Sequence, residues 1–247
     1  MYALLPFSLR RKNKVYIVLE SITENIWSVP APFKVFGLIA LNGRMTIVRL
    51  QNGDLWLHSP TPISDELRRE IDSLGTVRYL IAPSCFHHMF VEPWKEAYPE
   101  AKIFAARGLD KKRKDLTIDT IFREPIPQYW EEFSQFAIQG MPAVNEVLFF
   151  HKPSRTLIVT DFLFYIPQAS GFTGFYAWIN GFKQKITTPF LFTLAIKDKE
   201  AFRNSLTALR CWNVKHISMC HHYIYSQDDA NTHVQAALDV LNVAESK

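Results

Sequence analysis

The sequence predicts a mixed α/β protein in which two β-sheets pack face to face and helices cover their outer sides. Hairpin-forming strands come first, strands then alternate with helices, and the same succession returns in the second half of the chain. The 247 residues are 48% apolar and 14% aromatic, which is enough to build one large core. We therefore expect residues 1–247 to form a single domain.

The first half opens on an early strand at 15–19, and a β-hairpin follows. The strands 45–50 and 55–58 flank Asn52 and Gly53, a dipeptide that predicts a type I′ turn in which both residues have positive φ. A helix then begins after Ser64, whose hydroxyl suits an N-cap, and ends at Gly75 as a C′ residue. The pattern continues with a strand at 77–82, a short helix at 91–98 and a strand at 102–106.

The second half repeats this plan. We predict a strand at 133–138, a hairpin of 146–150 and 156–160, a helix at 200–212, a strand at 215–220 and a closing helix at 233–243. An aromatic insert lies between them at about 162–196. Its first part, 162–182, is uncharged and long enough to cross a bilayer, but its prolines and glycines favour irregular buried or cleft-lining structure, so no membrane span is expected. The insert can roof an apolar substrate pocket, form a homodimer interface or simply fill the core.

Composition excludes several classes of protein. The charged fraction of 21% and the aromatic content exclude a disordered chain, and a net charge of +4 is too small to require a nucleic-acid partner. The basic run 111–114 is flanked by Asp110 and Asp115 and is interpreted as a solvated loop rather than a nucleic-acid site. Three scattered cysteines do not make a disulfide framework, which favours a reducing compartment, and we expect a soluble cytoplasmic protein.

Histidines cluster where strands are predicted to end. His87 and His88 follow one buried strand, His221 and His222 follow another, and Asp161 follows a third. Because α/β sheets place ligand-binding groups beyond the carboxyl ends of their strands, these side chains are expected to meet. Imidazole and carboxylate are ligands of zinc and iron. The sequence therefore predicts a metal site.

Several segments together resemble a known superfamily. They are Leu57-His58-Ser59-Pro60, Leu80 to His88, Asn145-Glu146-Val147, Pro153 to Asp161 and Ser218 to His221. In this order they resemble the metallo-β-lactamase-like proteins, and specifically an uncharacterised subfamily of unknown function, over about residues 25 to 240. The resemblance implies a four-layer αββα sandwich.

The resemblance also implies a ligand set. The superfamily motif His-x-His-x-Asp-His falls on 83–88, so that Pro83 and Cys85 stand at the first two histidines and His87 and His88 at the last two ligand positions. The later histidine falls near 140–142, where no imidazole exists. One of the two metal sites has thus lost its ligands.

The other site keeps a full set in this alignment. The bridging aspartate corresponds to Asp161 and the final histidine to His221, and with His87 and His88 these residues are expected to bind one zinc or iron ion. Asp161 is expected to orient the nucleophile as well. The implied activity is hydrolysis of an ester, a thioester or a similar bond in a small molecule.

Other residues are candidates for substrate contact or for support of the ligands: His58, Cys85, Glu146 and His222. Each also has a structural interpretation. His58 can be a hydrogen-bonding floor residue, Cys85 an inert buried thiol, Glu146 a hydrogen-bond acceptor for a loop and His222 a packing residue. Two further functions stay open, namely a degenerate protein that only binds or assembles, and iron-dependent oxygen chemistry, for which two histidines and a carboxylate are suited.

Overall fold

The computed structural model describes residues 19–123 and 129–243, with side chains up to Leu241. Within these residues the strands, in chain order, are β1 Glu20–Thr23, β2 Ile26–Ala31, β3 Lys34–Val35, β4 Ile39–Ala40, β5 Gly43–Arg49, β6 Asp54–His58, β7 Thr76–Ala82, β8 Lys102–Ala106, β9 Thr120–Phe122, β10 Phe133–Ala137, β11 Val147–His151, β12 Thr156–Val159, β13 His216–Met219 and β14 Ile224–Tyr225. The helices are α1 Asp65–Leu74, α2 Val91–Ala97, α3 Leu109–Lys112, α4 Gly171–Ile179, α5 Phe190–Thr193, α6 Lys199–Arg210 and α7 Ala230–Val243. The predicted helices and strands of both halves that fall on described residues are present, with bounds that differ by at most three residues. Most of the predicted strand 15–19 lies outside the described residues.

Two sheets carry the fold. The larger has seven strands in the order β1-β2-β5-β6-β7-β8-β9, antiparallel up to β6 and parallel from β6 to β9. The smaller has five strands in the order β10-β11-β12-β13-β14, in which only β12 and β13 run parallel. The short hairpin of β3 and β4 stands apart from both.

The core divides into layers that confirm the four-layer αββα sandwich. Between the sheets lies an aromatic layer in which Trp56 meets Phe133 and Phe149 at ring-centroid distances of 4.7 and 5.0 Å. The outer face of the larger sheet is covered by α1, α2 and α3, and the outer face of the smaller sheet by α6 and α7. Alternate residues of each strand thus face a helix layer or the opposite sheet, which explains the near-continuous burial of β5, β6, β11 and β12.

Two local predictions in the first half need correction. The hairpin of β5 and β6 is confirmed, but its turn is not type I′, because Gly53 has a φ of 86° and Asn52 is not in the positive-φ region. The Gly53 amide donates to the Leu50 carbonyl at 2.9 Å, so a longer loop with one left-handed residue makes the reversal. Gly75, in turn, is extended with a φ of 161° and is not a left-handed C′ residue. A glycine is needed there because the chain passes close to Gly53, whose carbonyl oxygen would collide with a Cβ at position 75.

The aromatic insert is more regular and more exposed than the sequence predicts. Helix α4 occupies its centre, and Phe162, Phe164 and Phe182 are buried, whereas several rings of α4 face outward. The glycines of the segment are compatible with the helix, because Gly171 and Gly181 stand at its two ends and Gly174 lies on its buried side, where a side chain would collide with the Ala169 carbonyl. None of the helices in the described part of the chain is both long and apolar enough to cross a bilayer.

His151 at the end of β11 makes the stability of the fold sensitive to acid. Its side chain is 5% exposed and burial lowers its pKa to about 4, although Glu132 acts in the opposite sense. The unfolded chain, with a histidine pKa near ~6.5, takes up the proton first as the pH falls. Stability is therefore complete above about pH 6.5 and is lost progressively between about pH 6.5 and about pH 4.

Replacing His151 with phenylalanine is expected to remove about 2 kcal/mol of this acid destabilisation, with partial solvation of the ring allowed for. Phenylalanine keeps the edge contact with Phe133, and Ser154 keeps its hydrogen bond to Thr156. Urea unfolding of both proteins at several pH values measures the difference. If the free energy of unfolding of the variant falls as steeply with acid as that of the wild type, His151 is not responsible.

Candidate metal centre

The parallel pairing of β12 and β13 aligns two of the predicted ligands. Val159 pairs with Met219 in the sheet, and the Cys220 amide donates to the Val159 carbonyl at 3.0 Å. Asp161 and His221 each lie two residues beyond that pair, so the same register carries both side chains to one edge of the smaller sheet. His221 Nε2 lies 3.3 Å from Asp161 Oδ1.

His87 reaches the same point from the larger sheet. It lies in the loop after β7, where Ser84 Oγ accepts hydrogen bonds from the backbone amides of Phe86 and His87 and so shapes the turn. His87 Nε2 lies 3.2 Å from Asp161 Oδ2. The two sheets thus each contribute to one cluster of His87, Asp161 and His221.

The donor set of this cluster fits a transition-metal ion. One ligand atom from each of His87, Asp161 and His221 lies within 4.8 Å of the other two. Two ligands of a tetrahedral zinc ion, each about 2.0–2.1 Å from it, are about 3.3 Å apart, which is close to the two nitrogen–oxygen separations given above. His221 Nδ1 donates to the Leu41 carbonyl at 3.0 Å, so Nε2 is the ring nitrogen that faces Asp161 and that a metal ion would bind.

The charges of the cluster are strongly coupled. Burial favours the neutral form of Asp161, but the charge of His87 and the hydrogen bonds from His221 and His87 hold the pKa of this carboxyl well below its usual range. Burial likewise opposes the charged form of His87, but the neighbouring Cys220 and Asp161 raise the pKa of His87 well above its ordinary value. Asp161 is therefore a carboxylate with two imidazole partners.

The structure does not bring His88 to this cluster. Its ring is buried on the other side of the loop, where His88 Nδ1 lies 3.3 Å from the Arg113 guanidinium. Burial, and then the charges of Lys112 and Arg113, lower the pKa of His88. Consecutive residues of an open loop need not share a side, and the cationic neighbours make this position unfavourable for a metal ion. The structure therefore brings together three of the four predicted ligands, His87, Asp161 and His221.

Glu146 supports Asp161 through the backbone. Its side chain is fully buried, with Oε1 accepting from the Thr160 amide at 2.6 Å and Oε2 from the Asp161 amide at 3.1 Å. Burial and the negative charge of Asp161 raise the pKa of Glu146 to about 8. Of the two interpretations from the sequence, the contacts match the hydrogen-bond acceptor for the loop.

His58 lies beneath the cluster, at the end of β6. It is 1% exposed and stacks on Trp56 at a centroid distance of 5.4 Å, and its Nε2 has no hydrogen-bond partner among the described residues. Burial and the charge of His87 lower its pKa to about 3, so the ring is neutral. His58 is thus part of the aromatic floor and does not reach a surface where a substrate could contact it.

Cys85 and His222 are also placed away from the three ligands. Cys85 Sγ faces the Arg107 carbonyl, and burial raises the pKa of this thiol, which matches an inert cysteine. His222 has a φ of 62°, which turns its ring away from the ring of His221, and its Nε2 bonds the Ala40 carbonyl at 2.7 Å. His222 therefore fastens the β3–β4 hairpin to the end of β13.

Two residues at the cluster were missed by the sequence reasoning. Ser59 Oγ and Cys220 Sγ lie 2.9 and 3.2 Å from His87 Nδ1 and orient the ring. Burial raises the pKa of Cys220, but the neighbouring histidines, mainly His87, lower it to about 7. The sequence signal that could have identified these two residues is their position. Ser59 directly follows a histidine and Cys220 directly precedes one, in each case at the end of a strand.

Backbone hydrogen bonds connect the segments at which the resemblance places the replaced ligands. The Cys85 amide donates to the Val144 carbonyl at 2.9 Å, and the Pro83 carbonyl accepts from the Val147 amide at 2.8 Å. Met141 is buried in the core of the smaller sheet. These residues join the loop after β7 to the start of β11, so the positions that align with the missing ligands hold the two sheets together.

Solved structures share this fold. The metallo-β-lactamase DIM-1, in a crystal structure of the enzyme exposed to ceftazidime, superposes with a TM-score of 0.62 at 14% identity, covering 91% of this chain and 97% of its own. TMB-1 gives a TM-score of 0.62 at 12% identity, with 92% and 98% coverage. A metallo-β-lactamase from Pontibacter korlensis gives 0.58 at 11% identity, with 92% and 99% coverage. At such identities the similarity shows the fold alone.

Sequence comparison gives a narrower result. No curated protein matches this chain. Residues 23–173, which include His87 and Asp161 but not His221, match a family model. Since that match covers more than half of the sequence, the chain belongs to the family described as Domain of unknown function (DUF4336), and its fold is metallo-β-lactamase-like.

Proposed function

We propose that this protein is a metal-dependent, hydrolase-like enzyme that uses one zinc or iron ion on an ester or thioester bond of a small molecule. The observation that carries the proposal is the convergence of His87, Asp161 and His221 from the two sheets, with ligand atoms within 4.8 Å of one another. Two imidazoles and a carboxylate are a ligand set that leaves a position open for water or substrate. The metallo-β-lactamases of the same fold support a hydrolytic reaction.

A bound ion would supply a Lewis acid that polarises a carbonyl group and lowers the pKa of a coordinated water. The residues of the chain prepare that position. Asp161, an ionised carboxylate, would hold and orient the nucleophile as well as bind the ion. The Leu41 carbonyl fixes the tautomer of His221, and Ser59 fixes the ring of His87. Phe164 stacks on His221 at 4.8 Å and shields one side from water.

The proposal is for one ion rather than two. Pro83, Cys85 and Met141 offer no second set of nitrogen and oxygen ligands, and no other group of three histidine, cysteine or acidic side chains in the described residues comes together in this way. Chemistry that needs a second ion to stabilise the leaving group is therefore not part of the proposal.

Metal analysis of the full-length protein, purified without chelator, tests the ligand set. We expect about one zinc or iron ion per chain, and at least a tenfold loss of affinity in Asp161→Ala and in His221→Ala. His88→Ala is the matched control and is expected to keep the metal, because its ring faces Arg113. A protein that neither contains stoichiometric metal nor takes it up on reconstitution would overturn the proposal, as would equal loss in His88→Ala.

Two other functions each have an observation in their favour. With His88 outside the cluster, two histidines and one carboxylate remain, which is the set that iron(II) uses in oxygen chemistry. Turnover that depends on both iron and oxygen would identify that function. The replaced ligands at Pro83 and Cys85 favour a protein that only binds or assembles, and a metal-loaded protein that hydrolyses no ester or thioester would support it.

We also propose a cytoplasmic location. Cys85, Cys211 and Cys220 are all unpaired, which is the expected state in a reducing compartment.

A further inference from the structure

Exposed apolar side chains are concentrated in one part of the molecule. Eight of the twelve exposed large apolar side chains in the described residues belong to the β3–β4 hairpin or to helices α4 and α5, and a ninth, Leu194, directly follows α5. Phe36 at the hairpin tip is 89% exposed, and Phe172, Phe175 and Trp178 of α4 are each more than 60% exposed. We call this set the aromatic surface. An exposed patch of this kind on a folded protein marks an interaction site.

The pieces of the aromatic surface form one supported unit. The Ala40 amide of the hairpin donates to Thr173 Oγ1 of α4 at 2.9 Å, and α5 begins on the Asn180 carbonyl at the end of α4. Beneath them, Ala177 and Phe182 are buried in a small core of their own. The inward side of α4 therefore supplies the contacts that hold the helix on the protein. The outward aromatic rings take no part in that packing.

The segments that build the aromatic surface are basic. Residues 26–53 and 162–197 contain no aspartate or glutamate, whereas lysines occur at 34, 183, 185 and 197. The Lys183 ammonium lies beside α4, because a Cβ placed on Gly174 would be 3.4 Å from Lys183 Nζ. Aromatic rings are therefore accompanied by positive charge and by no acidic side chain of the same segments.

We propose that the aromatic surface docks on the headgroup region of an anionic phospholipid bilayer. Tryptophan and phenylalanine on the outward face of α4, with lysines in the neighbouring segments, resemble the aromatic and basic composition of helices that lie in the membrane interface. Lysines near such a surface are attracted by anionic lipid, each by about 1 kcal/mol. A second copy of the chain fits less well, because both sides of a two-fold interface would bring lysines and neither would bring an acidic partner from these segments. The proposal is independent of the metal site.

Vesicle sedimentation with the full-length protein tests the docking. The vesicles are phosphatidylcholine alone, or phosphatidylcholine and phosphatidylglycerol in equal parts. We expect at least tenfold stronger binding to the anionic vesicles, and at least a tenfold loss of that binding in Phe175→Ser/Trp178→Ser. Val240→Ser, which changes an exposed apolar side chain of α7, is the matched control and is expected to bind as the wild type does.

A second pair of variants separates charge from apolar contact. Lys183→Glu/Lys185→Glu is expected to weaken binding to anionic vesicles at least tenfold, whereas Lys102→Glu/Lys152→Glu, with the same charge change elsewhere, is expected to have a much smaller effect. Circular dichroism verifies that each variant is folded. Absence of vesicle binding would overturn the proposal, as would binding that the α4 variant leaves unchanged. A dimer in sedimentation equilibrium that only the α4 variant dissociates, without vesicle binding, would assign the surface to a second copy instead.

Discussion

Replacing Glu146 with leucine is expected to lower the free energy of unfolding by about 3–5 kcal/mol. The reason is that two buried backbone amides, those of Thr160 and Asp161, would lose their acceptor, and each unsatisfied donor costs about 1–3 kcal/mol. Leucine is close to glutamate in volume, so a cavity contributes little. Urea unfolding measured by circular dichroism gives the change.

The half-buried Glu132, whose hydrogen bond is exposed to solvent, provides the matched control for this change. Its carboxylate also accepts a backbone hydrogen bond, from the Gln51 amide at 2.8 Å, but water can replace it there. Glu132→Leu is therefore expected to cost less than about 1 kcal/mol. If Glu146→Leu cost no more than this control, the two hydrogen bonds would not be holding the end of β12.

Replacing Gly140 with alanine is expected to destabilise the protein by more than about 3 kcal/mol. Gly140 has a φ of 76°, which alanine adopts only at a cost, and its Cβ would collide with the Asp198 carbonyl oxygen. The Gly140 carbonyl accepts from the Lys197 amide at 2.8 Å, and Asp198 caps α6. The chain therefore cannot move aside without disturbing the start of that helix.

Gly53→Ala separates backbone strain from collision. Gly53 has a similar positive φ of 86°, but no atom lies within 4 Å of the place where its Cβ would be. Only strain remains there, and the expected cost is about 1 kcal/mol. Midpoints of urea unfolding for the two variants give the comparison, and equal midpoints would show that the contact with Asp198 is not limiting.

Much of the fold was predictable because its signals are local. Ser64 accepts from the Leu67 amide as an N-cap should, and the alternation of strands and helices indicated the layers. The type of turn at Asn52 was not predictable in the same way. The dipeptide Asn52-Gly53 is compatible with hairpin loops of several lengths and turn types, and the register in which the two strands pair selects one of them.

The site was predictable only where strand register decides the position. Asp161 and His221 follow paired parallel strands by the same number of residues, and such a regularity can be inferred from strand ends. His87 and His88 are adjacent in a loop, and the choice between them depends on Arg113 and Ser59, which are distant in sequence. Nothing local indicates which of the two imidazoles faces Asp161.

The cluster also has a consequence for how the molecule holds together. One imidazole belongs to the half of the chain that builds the seven-stranded sheet, while the carboxylate and the second imidazole belong to the half that builds the five-stranded one. A ligand bound by these three side chains contacts both halves of the chain at once, and it is released when the two sheets separate. Occupancy and folding are therefore thermodynamically linked, so that a tightly bound ligand stabilises the contact between the two halves at the edge of the sandwich.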